Sequence, residues 1–276
     1  MKRRENLPNL EKSRDKAFED IKKQHGAGAI MTLGQSEAVE KVEVISTGTS
    51  AIDSITGVGG FPRGKIVEIY GPESSGKSTL AMQVVAQAQK TGGRAAYIDV
   101  ENAVDPVYST ALGVNIEELD FSQPSCGEEA LEITLRLIES KVYAVIVVDS
   151  VAALVPRAEL EGAMGDSVMG LQARLMSQAM RKLNAAVANS KTCLIFINQV
   201  RQKIGIVFGN PETTTGGLAL KFYSSLRISV HKSTVEKTSA GATGQEVKIR
   251  IEKNKLAPPL KEAKVLLRFG HGFVNE

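Results

Sequence analysis

The sequence predicts an α/β fold whose mostly parallel central sheet is covered by helices on both faces. From about residue 64 onward, apolar runs such as "KIVEIY", "RAAYID", "AVIVVDS" and "CLIFINQ" alternate with segments whose apolar residues repeat at helical spacing. Near-continuous apolar strands separated by helices indicate a parallel sheet that is buried on both faces. The second observation is a glycine-rich turn, "GPESSGKST" at 71–79, which joins the first of these strands to its helix.

The predicted elements follow one another in strand–helix order. Helices are expected from residue 77 onward, over about 128–140 and over about 168–189, because apolar side chains recur on one side of each. After "GLALKFYSSLRISVHK" the helical spacing stops, and "QEVKIRIEKNK" and "AKVLLRFG" predict antiparallel, hairpin-like strands. We therefore expect the parallel sheet to continue into a mixed edge.

Residues 1–34 predict a unit of their own ahead of a core at 35–276. One face of a predicted amphipathic helix carries the apolar residues Leu10, Ala17, Phe18 and Ile21. "GAIMTLG" at 28–34 predicts a short strand, and a polar stretch typical of a linker follows it. A helix with a detached strand suits an arm that docks on another subunit, but the same segment can also fold onto its own core. The pattern alone leaves both alternatives open.

Composition and charge indicate a globular protein that does not enter membranes. The longest apolar stretch is far shorter than the ~20 residues of a membrane span, and the charged N-terminus lacks the apolar core of a signal peptide. The only cysteines are Cys126 and Cys193, and the latter is expected to be a small buried side chain, so we expect a soluble cytoplasmic protein. A net charge of +3 over 276 residues requires any nucleic-acid contact to be local.

Residues 71–78 match the complete phosphate-loop pattern G-x-x-x-x-G-K-[ST] between a predicted strand and a predicted helix. Gly71 and Gly76 permit close approach of the backbone, whose amides cradle phosphate at the helix N-terminus, and Lys77 reaches the β- and γ-phosphates. Ser78 would hold Mg²⁺ together with Asp149, which ends the strand in "YAVIVVDS". The sequence therefore predicts a site for ATP and Mg²⁺. The alternatives are a connecting turn and, for Asp149, a helix cap.

Two further polar residues follow neighbouring strands. Glu101, in "YIDVENA", is the candidate base for an attacking water, and a solvated loop glutamate is the alternative. Gln199 ends the strand in "FINQ", where its amide can sense the γ-phosphate and pass that state to the loop behind it. Both assignments predict an ATPase whose hydrolysis is linked to a neighbouring loop.

The connection after "FINQ", "VRQKIGIVFGNPETTTGG" at 200–217, is long and carries Arg201, Lys203 and Phe208. A long structureless loop in a compact domain is usually functional or disordered. Cations and amides for phosphate, with an aromatic side chain against bases, suit a site that tracks the backbone of single-stranded nucleic acid. An ordinary mobile loop is the alternative. A second connection, "AELEGAMGDSVMG" at 158–170, is too acidic for direct phosphate contact over most of its length.

Six extended segments, taken in order, carry a resemblance to a known family. They are "GPESSGKSTL", "VIVVDSVAALVP", "GLQARLMSQAMRKL", "FINQVRQKIGIVFGNPETTTGG", "ALKFY" and "KNKLAPPLKEA", and the resemblance covers the chain from about residue 26 to residue 270. Together they resemble the bacterial RecA recombinases. The resemblance implies a RecA-type P-loop ATPase core that uses ATP and Mg²⁺ and forms a homo-oligomeric helical filament on single-stranded DNA. It further implies homologous pairing and strand exchange with duplex DNA, and an N-terminal helix and strand that dock on a neighbouring subunit.

The resemblance also assigns roles to single residues. Glu101 becomes the water-activating base, and the two glycine-rich connections become the DNA loops. Lys253 and Lys255 in "KNK" contact ATP held by the neighbouring subunit, and Phe222 in "ALKFY" supports the subunit interface.

The predicted sites comprise the following residues. The catalytic residues are Lys77, Glu101, Gln199, Lys253 and Lys255. The nucleotide-binding residues are Gly71, Pro72, Glu73, Ser74, Ser75, Gly76, Lys77, Ser78, Thr79, Asp105, Tyr108 and Asp149, with Asp105 and Tyr108 at the adenine. The DNA-binding residues are Arg174, Val200, Arg201, Lys203, Phe208, Gly209, Asn210, Thr213, Gly216 and Gly217.

The chain departs from the family pattern in two places. Asn102 follows the candidate base where many RecA sequences have histidine, and the chain ends at "FGHGFVNE", so we expect the C-terminal regulatory domain to be absent. A ring helicase with the same core is one alternative function, although it gives no reason for "FGNPETTTGG" or "KNKLAPP". A filament that coats DNA and uses ATP only as a switch is another.

Overall fold

The computed structural model describes residues 7–32, 42–163, 170–202, 212–238 and 241–275. The chain divides into two compact units, Met1–Val42 and Glu43–Glu276. In the described parts of both, no helix combines the length and the apolar character needed to cross a bilayer.

The first unit contains the predicted N-terminal helix, α1, which spans Leu7–His25. The Arg14 guanidinium lies 4.9 Å from the ring centroid of Phe18 and donates a hydrogen bond of 3.2 Å to Thr32 Oγ1. In place of the predicted strand, residues 28–30 form a turn and bends, residues 31–32 have no regular structure, and 33–34 lie outside the described residues. A strand is held by hydrogen bonds to a partner strand, and the described residues of this unit supply none.

The second unit is built on a large mixed sheet. A separate pair precedes its strands: β1 spans Val44–Ile45 and β2 spans Phe61–Pro62. The strands of the large sheet, β3 to β12, span in chain order Ile66–Gly71, Arg94–Asp99, Leu119–Ser122, Tyr143–Asp149, Cys193–Gln202, Glu212–Thr214, Leu226–Thr238, Gly241–Asn254, Glu262–Arg268 and Gly272–Phe273. The order across the sheet is β12–β11–β10–β9–β3–β7–β6–β4–β5, and β8 pairs with β7. In that order, the neighbouring strands β9–β3–β7–β6–β4–β5 pair in parallel. The pairs β9–β10, β10–β11, β11–β12 and β7–β8 are antiparallel. The predicted mixed edge is confirmed, and β9 is the strand at which the direction of pairing changes.

Helices cover both faces of this sheet. Helices α2 to α8 span, in order, Ser50–Thr56, Lys77–Lys90, Pro106–Ala111, Gly127–Glu139, Arg157–Glu161, Leu171–Ser190 and Ala219–Tyr223. Helix α3 buries its apolar side against one face, and α5 and α7 bury theirs against the other. The three long helices were predicted. The short ones, α2, α4, α6 and α8, have at most 7 residues, too few to show a helical period.

The register of the sheet gathers the carboxyl ends of the central strands. Gly71, at the end of β3, lies beside Gln199 in β7, and Asp99, at the end of β4, lies beside Asp149 at the end of β6. Ligands of open α/β sheets bind in the crevice at this edge. Predicted site residues from distant parts of the sequence therefore lie together at one edge of the sheet.

Candidate functional site

The turn between β3 and α3 forms a cradle of backbone amides. A Cβ atom at Gly71 would come within 2.0 Å of the Val230 carbonyl oxygen, so this position excludes every side chain. Gly76 precedes α3 with φ +96°, a left-handed conformation that favours glycine. Gln245 Nε2 donates a hydrogen bond of 3.0 Å to the Ser74 carbonyl oxygen and anchors the turn to β10.

Two polar groups in this cradle fit a phosphate. Ser75 Oγ is buried and has no hydrogen-bond partner among the described residues. Lys77 Nζ donates a hydrogen bond of 2.7 Å to the Pro72 carbonyl oxygen. Burial lowers the pKa of Lys77, and nearby carboxylates, of which Asp149 has the largest effect, oppose that shift. An unpaired hydroxyl and a desolvated ammonium at a helix N-terminus suit an anion with several oxygens.

The Asp149 carboxylate lies against the first turn of α3. Ser78 Oγ donates a hydrogen bond of 2.7 Å to Asp149 Oδ2, and the buried Tyr97 hydroxyl donates another of 2.7 Å to the same oxygen. Burial raises the pKa of Asp149, and these two hydrogen bonds oppose that rise. No group of three His, Cys, Asp or Glu side chains in the described ranges can hold a metal ion alone. This donor set fits Mg²⁺, which binds to few carboxylates and completes its shell with phosphates and water.

Glu101 lies at the same edge with an exposed side chain. Its Oε1 accepts a hydrogen bond of 2.9 Å from Gln199 Nε2 and another from Ser150 Oγ. The buried carboxylate of Asp99 holds the loop that carries Glu101, because it accepts two backbone N–H groups of that loop, both at 3.2 Å. Asn102, the departure from the family pattern, has φ +55°, which asparagine tolerates better than most residues.

Gln199 connects Glu101 to the start of the predicted DNA loop. While its Nε2 donates to Glu101, its Oε1 accepts a hydrogen bond of 3.0 Å from Arg201 Nη1. A carboxylate, an amide and a guanidinium therefore form one hydrogen-bonded row. The three residues of this row were predicted as separate site residues, and the structure brings them into contact.

The two residues that the resemblance assigns to adenine lie beside α3. Asp105 Oδ1 accepts the backbone N–H groups of Val107 at 2.8 Å and Tyr108 at 3.3 Å, and so caps α4. The Tyr108 hydroxyl lies 3.1 Å from Thr79 Oγ1 in the first turn of α3. Tyr108 is thus next to the cradle, and Asp105 caps the short helix that carries it.

The connection after "FINQ" begins and ends as a β-ribbon. Strand β7 does not stop at the predicted position but continues to Gln202, and its Val200 and Arg201 pair with Thr214 and Thr213 of β8. The expectation of a structureless connection is therefore wrong at both ends. The reason is that these two polar segments satisfy each other's backbone hydrogen bonds.

Gly216 and Gly217 follow the ribbon and pack closely on other elements. Both lie in the left-handed region, with φ +78° and +77°. A Cβ atom at Gly216 would come within 2.7 Å of Val151 Cγ1, and one at Gly217 within 2.9 Å of Ala173 Cβ. Packing and conformation account for both glycines, so their contact with DNA stays a prediction. Arg174, another predicted DNA contact, is exposed in the first turns of α7.

Parts of both predicted DNA loops lie outside the described residues. These parts are 164–169 and 203–211, and the second includes the predicted contacts Lys203, Phe208, Gly209 and Asn210. The described start of the first loop contains the short helix α6.

The two lysines of "KNK" converge on the end of α8. Lys253 Nζ donates to the carbonyl oxygens of Lys221 at 2.6 Å and Phe222 at 2.9 Å, and Lys255 Nζ donates to the Phe222 oxygen at 3.2 Å. Burial lowers the pKa of Lys253, and the positive charge of the nearby Lys255 lowers it further. Strand β10 ends at Asn254, so Lys255 lies just beyond it, yet both ammonium groups reach the same side as predicted. The Phe222 side chain is 68% exposed.

A buried polar network beneath the ribbon was not predicted. The Glu68 carboxylate lies 2.5 Å from Arg227 Nε and accepts a hydrogen bond of 2.9 Å from Asn198 Nδ2. Asn198 Oδ1 accepts hydrogen bonds from Thr215 Oγ1 at 2.6 Å and from the Gln199 backbone N–H at 2.9 Å. Asn198 therefore ties together the two ends of the loop. Polar residues inside the apolar runs "KIVEIY" and "CLIFINQ" were the available signal.

Fold and site together define a class of protein. A phosphate cradle between β3 and α3, a carboxylate at the end of β6 that meets the α3 serine, and a second carboxylate after β4 belong to a P-loop nucleotide hydrolase. The sheet and its antiparallel continuation give the core a recombinase-like architecture. The structure of the RadB recombinase superposes with a TM-score of 0.62 at 22% identity, over 84% of this chain and 99% of that chain, which shows a shared fold.

Sequence comparison identifies the family. A model of the RecA N-terminal domain matches residues 12–274. The chain is 56% identical over 262 residues to protein RecA of Oceanobacillus iheyensis, covering 95% of this chain and 75% of that protein. It is 57% identical over 265 residues to protein RecA of Streptococcus mutans, covering 95% and 69%. The chain therefore belongs to the RecA family, and its function is that of a recombinase in DNA repair with ATPase activity.

Proposed function

We propose that this protein is a DNA-dependent ATPase that forms helical filaments on single-stranded DNA in the cytoplasm and promotes pairing and strand exchange with a homologous duplex. One observation carries the proposal: Gln199 is hydrogen-bonded both to the candidate base, Glu101, and to Arg201 at the start of the candidate DNA loop. This row gives DNA a physical route to the hydrolytic residue.

The cradle and its neighbours are the proposed site of ATP. The amides of 71–76, the Ser75 hydroxyl and the Lys77 ammonium would receive the phosphates, and Tyr108 would lie against the adenine. Ser78 and Asp149 would hold Mg²⁺, which neutralises charge on the phosphates when bound. The buried, unpartnered Ser75 Oγ supports this assignment, because a buried hydroxyl without a partner is costly.

Glu101 is the proposed general base. Gln199 Nε2 and Ser150 Oγ both donate to Oε1, and these two hydrogen bonds hold the orientation of the carboxylate. The second oxygen, Oε2, then accepts the proton of a water at the edge of the crevice. A glutamine at this position keeps the shape of the side chain and cannot take up that proton.

Arg201 is the proposed receiver of the DNA signal. A DNA phosphate is a stronger partner for a guanidinium than the neutral amide of Gln199 is. Once Arg201 binds a DNA phosphate, the Gln199 side chain loses its hydrogen bond from Arg201. It can then reorient and change its hydrogen bond to Glu101. The network around Asn198 keeps the Gln199 backbone in place, so the change stays in the side chain.

ATP hydrolysis with and without single-stranded DNA tests this proposal in a Gln199→Ala variant. We expect the DNA-independent rate to persist and the stimulation by DNA to disappear, because the base and the loop remain while the bridge is gone. Gln178→Ala, which replaces an exposed glutamine of α7, is the control and should be stimulated like the parent protein.

Two results of that assay contradict the proposal. Undiminished stimulation of Gln199→Ala rules out the bridge. A parent protein that binds DNA with ATP but shows no turnover is a filament that uses ATP only as a switch. Electron microscopy with DNA and a non-hydrolysable ATP analogue separates open helices from the closed rings of a helicase.

A further inference from the structure

We infer that Tyr97 is a positioning residue of the magnesium site, in which its buried hydroxyl fixes the Asp149 carboxylate. The inference rests on the proposed function, because it takes Asp149 as the residue that holds Mg²⁺. It concerns a residue in the middle of β4 that belongs to none of the predicted sites.

The sheet places Tyr97 directly beneath the site. Strands β4 and β6 are parallel neighbours in which Tyr97 lies beside Val147, and Asp99 lies beside Asp149. Residues two apart on a strand point to the same face, so Tyr97, Asp99 and Asp149 all face α3. The Tyr97 side chain is fully buried, and its hydroxyl reaches up to Asp149 Oδ2 at 2.7 Å.

The hydroxyl is not needed to fill the core. The Tyr97 ring packs in the apolar cluster between the sheet and α3, where a phenylalanine ring would occupy nearly the same volume. A buried phenolic hydroxyl requires a hydrogen-bond partner, and here that partner is the Asp149 carboxylate. The oxygen atom that distinguishes tyrosine from phenylalanine therefore acts on the site.

The direction of the hydrogen bonds explains how it acts. Tyr97 and Ser78 both donate to Oδ2 of Asp149, and Oδ1, to which neither donates, would then be available to the ion or its water molecules. Ser78 itself belongs to the proposed metal site, so its hydroxyl would have to contact both the ion and the carboxylate, whereas Tyr97 lies in the core, away from the ion. Some residues do not bind the metal but orient a side chain that does. Removing such a residue typically lowers metal affinity by 10- to 100-fold.

Tyr97→Phe tests the inference. The readout is the binding of a fluorescent, non-hydrolysable ATP analogue as a function of Mg²⁺ concentration, which does not depend on turnover. We expect the half-saturating Mg²⁺ concentration to rise about 10-fold. Thermal unfolding without nucleotide checks that the variant is folded.

Tyr143→Phe is the matched control. The Tyr143 hydroxyl also donates to an aspartate, Asp120 Oδ2 at 2.9 Å, but it lies at the opposite end of β6. This variant should need the same Mg²⁺ concentration as the parent. An equal requirement in Tyr97→Phe and in the parent would overturn the inference.

Asp149→Asn separates this inference from the assignment on which it rests. If Asp149→Asn leaves the Mg²⁺ requirement unchanged, the assignment of Asp149 fails. If Asp149→Asn raises the requirement and Tyr97→Phe does not, only the role of Tyr97 fails. Combined with Asp149→Asn, Tyr97→Phe should add no further effect, because it acts through that carboxylate. An equal effect in both backgrounds would mean a general structural role and would contradict the inference.

Discussion

At the scale of single residues, the site separates phosphate binding from water activation. Lys77 is buried and bonded to the turn of the cradle, whereas Glu101 is exposed and bonded to Gln199. The two residues lie on different elements, so each can be changed without moving the other.

Lys77→Ala and Glu101→Gln should therefore have different effects. Lys77→Ala removes a cation from the cradle and should weaken nucleotide binding. Glu101→Gln should retain binding of ATP and DNA and lose turnover by about 10²-fold or more, because it removes a general base. Equilibrium binding and single-turnover hydrolysis distinguish the two. Normal turnover by Glu101→Gln would refute the assignment of the base.

Cys193 gives a prediction that is independent of the site. As predicted from its apolar surroundings, the thiol is buried, and burial raises its pKa to about 12. The raised pKa keeps the unreactive thiol form at every pH below that value, and the reactive thiolate stays rare. We expect iodoacetamide at pH 8 to leave Cys193 unmodified in the native protein and to modify it after unfolding in guanidinium. Mass spectrometry measures both states, and fast modification of native Cys193 would contradict the described core.

At the scale of elements, the ribbon of β7 and β8 is the structural base of the candidate DNA loop. Asn198 ties the ends of that loop to each other and, through Glu68 and Arg227, to the centre of the sheet. A rigid base lowers the cost in ordering when a loop presents cations to a DNA backbone. The first residue of the loop with a positive charge is Arg201.

Salt dependence tests whether this element binds the DNA backbone. The logarithm of the affinity for single-stranded DNA should fall with the logarithm of salt concentration, with a slope of roughly −0.7 per neutralised phosphate and little preference for sequence. Arg201→Ala should make the slope less steep by about 0.7. Arg136→Ala is the control, because its ion pairs on α5 are exposed and contribute little. A parent slope near zero would rule out backbone binding.

Most of the elements that position the site were predictable because their signals are local. A complete phosphate-loop pattern and strands ending at Asp149 and Gln199 required only spacing and strand-end chemistry. The contact of Tyr97 with Asp149 depends on the register of β4 against β6, which no local pattern specifies. The ribbon depends on pairing between residues 200–202 and 212–214, which the pattern within either segment does not specify. A polar residue in an apolar strand indicates a buried polar contact, but the sequence does not identify its partner.

At the scale of the whole molecule, we expect ATP to be hydrolysed between subunits. Lys253 and Lys255 contact the end of α8, next to the exposed ring of Phe222, so charge and apolar surface lie together there. Carbonyl oxygens at the end of a helix favour cations, and an ATP phosphate on a neighbouring subunit would attract them more strongly. The family resemblance assigns them that second partner.

Replacing both lysines should abolish DNA-stimulated hydrolysis. Charge supplied to a phosphoryl-transfer transition state by a neighbour is worth about 10³-fold or more in rate. Nucleotide binding to isolated Lys253→Ala/Lys255→Ala subunits should stay nearly unchanged, because their cradle is intact. Loss of binding in isolated subunits would place the lysines in their own subunit's site.

A mixing experiment tests hydrolysis between subunits most directly. Subunits with Lys253→Ala/Lys255→Ala keep an intact cradle, and Lys77→Ala subunits keep the two lysines, so a mixed filament on single-stranded DNA contains complete interfaces. Subunits that carry all three substitutions, mixed with the double variant, form the control in which every interface is incomplete. We expect ATP hydrolysis in the first mixture above that of either variant alone, and none in the control. Equal activity in the two mixtures, with co-assembly demonstrated, would contradict this expectation.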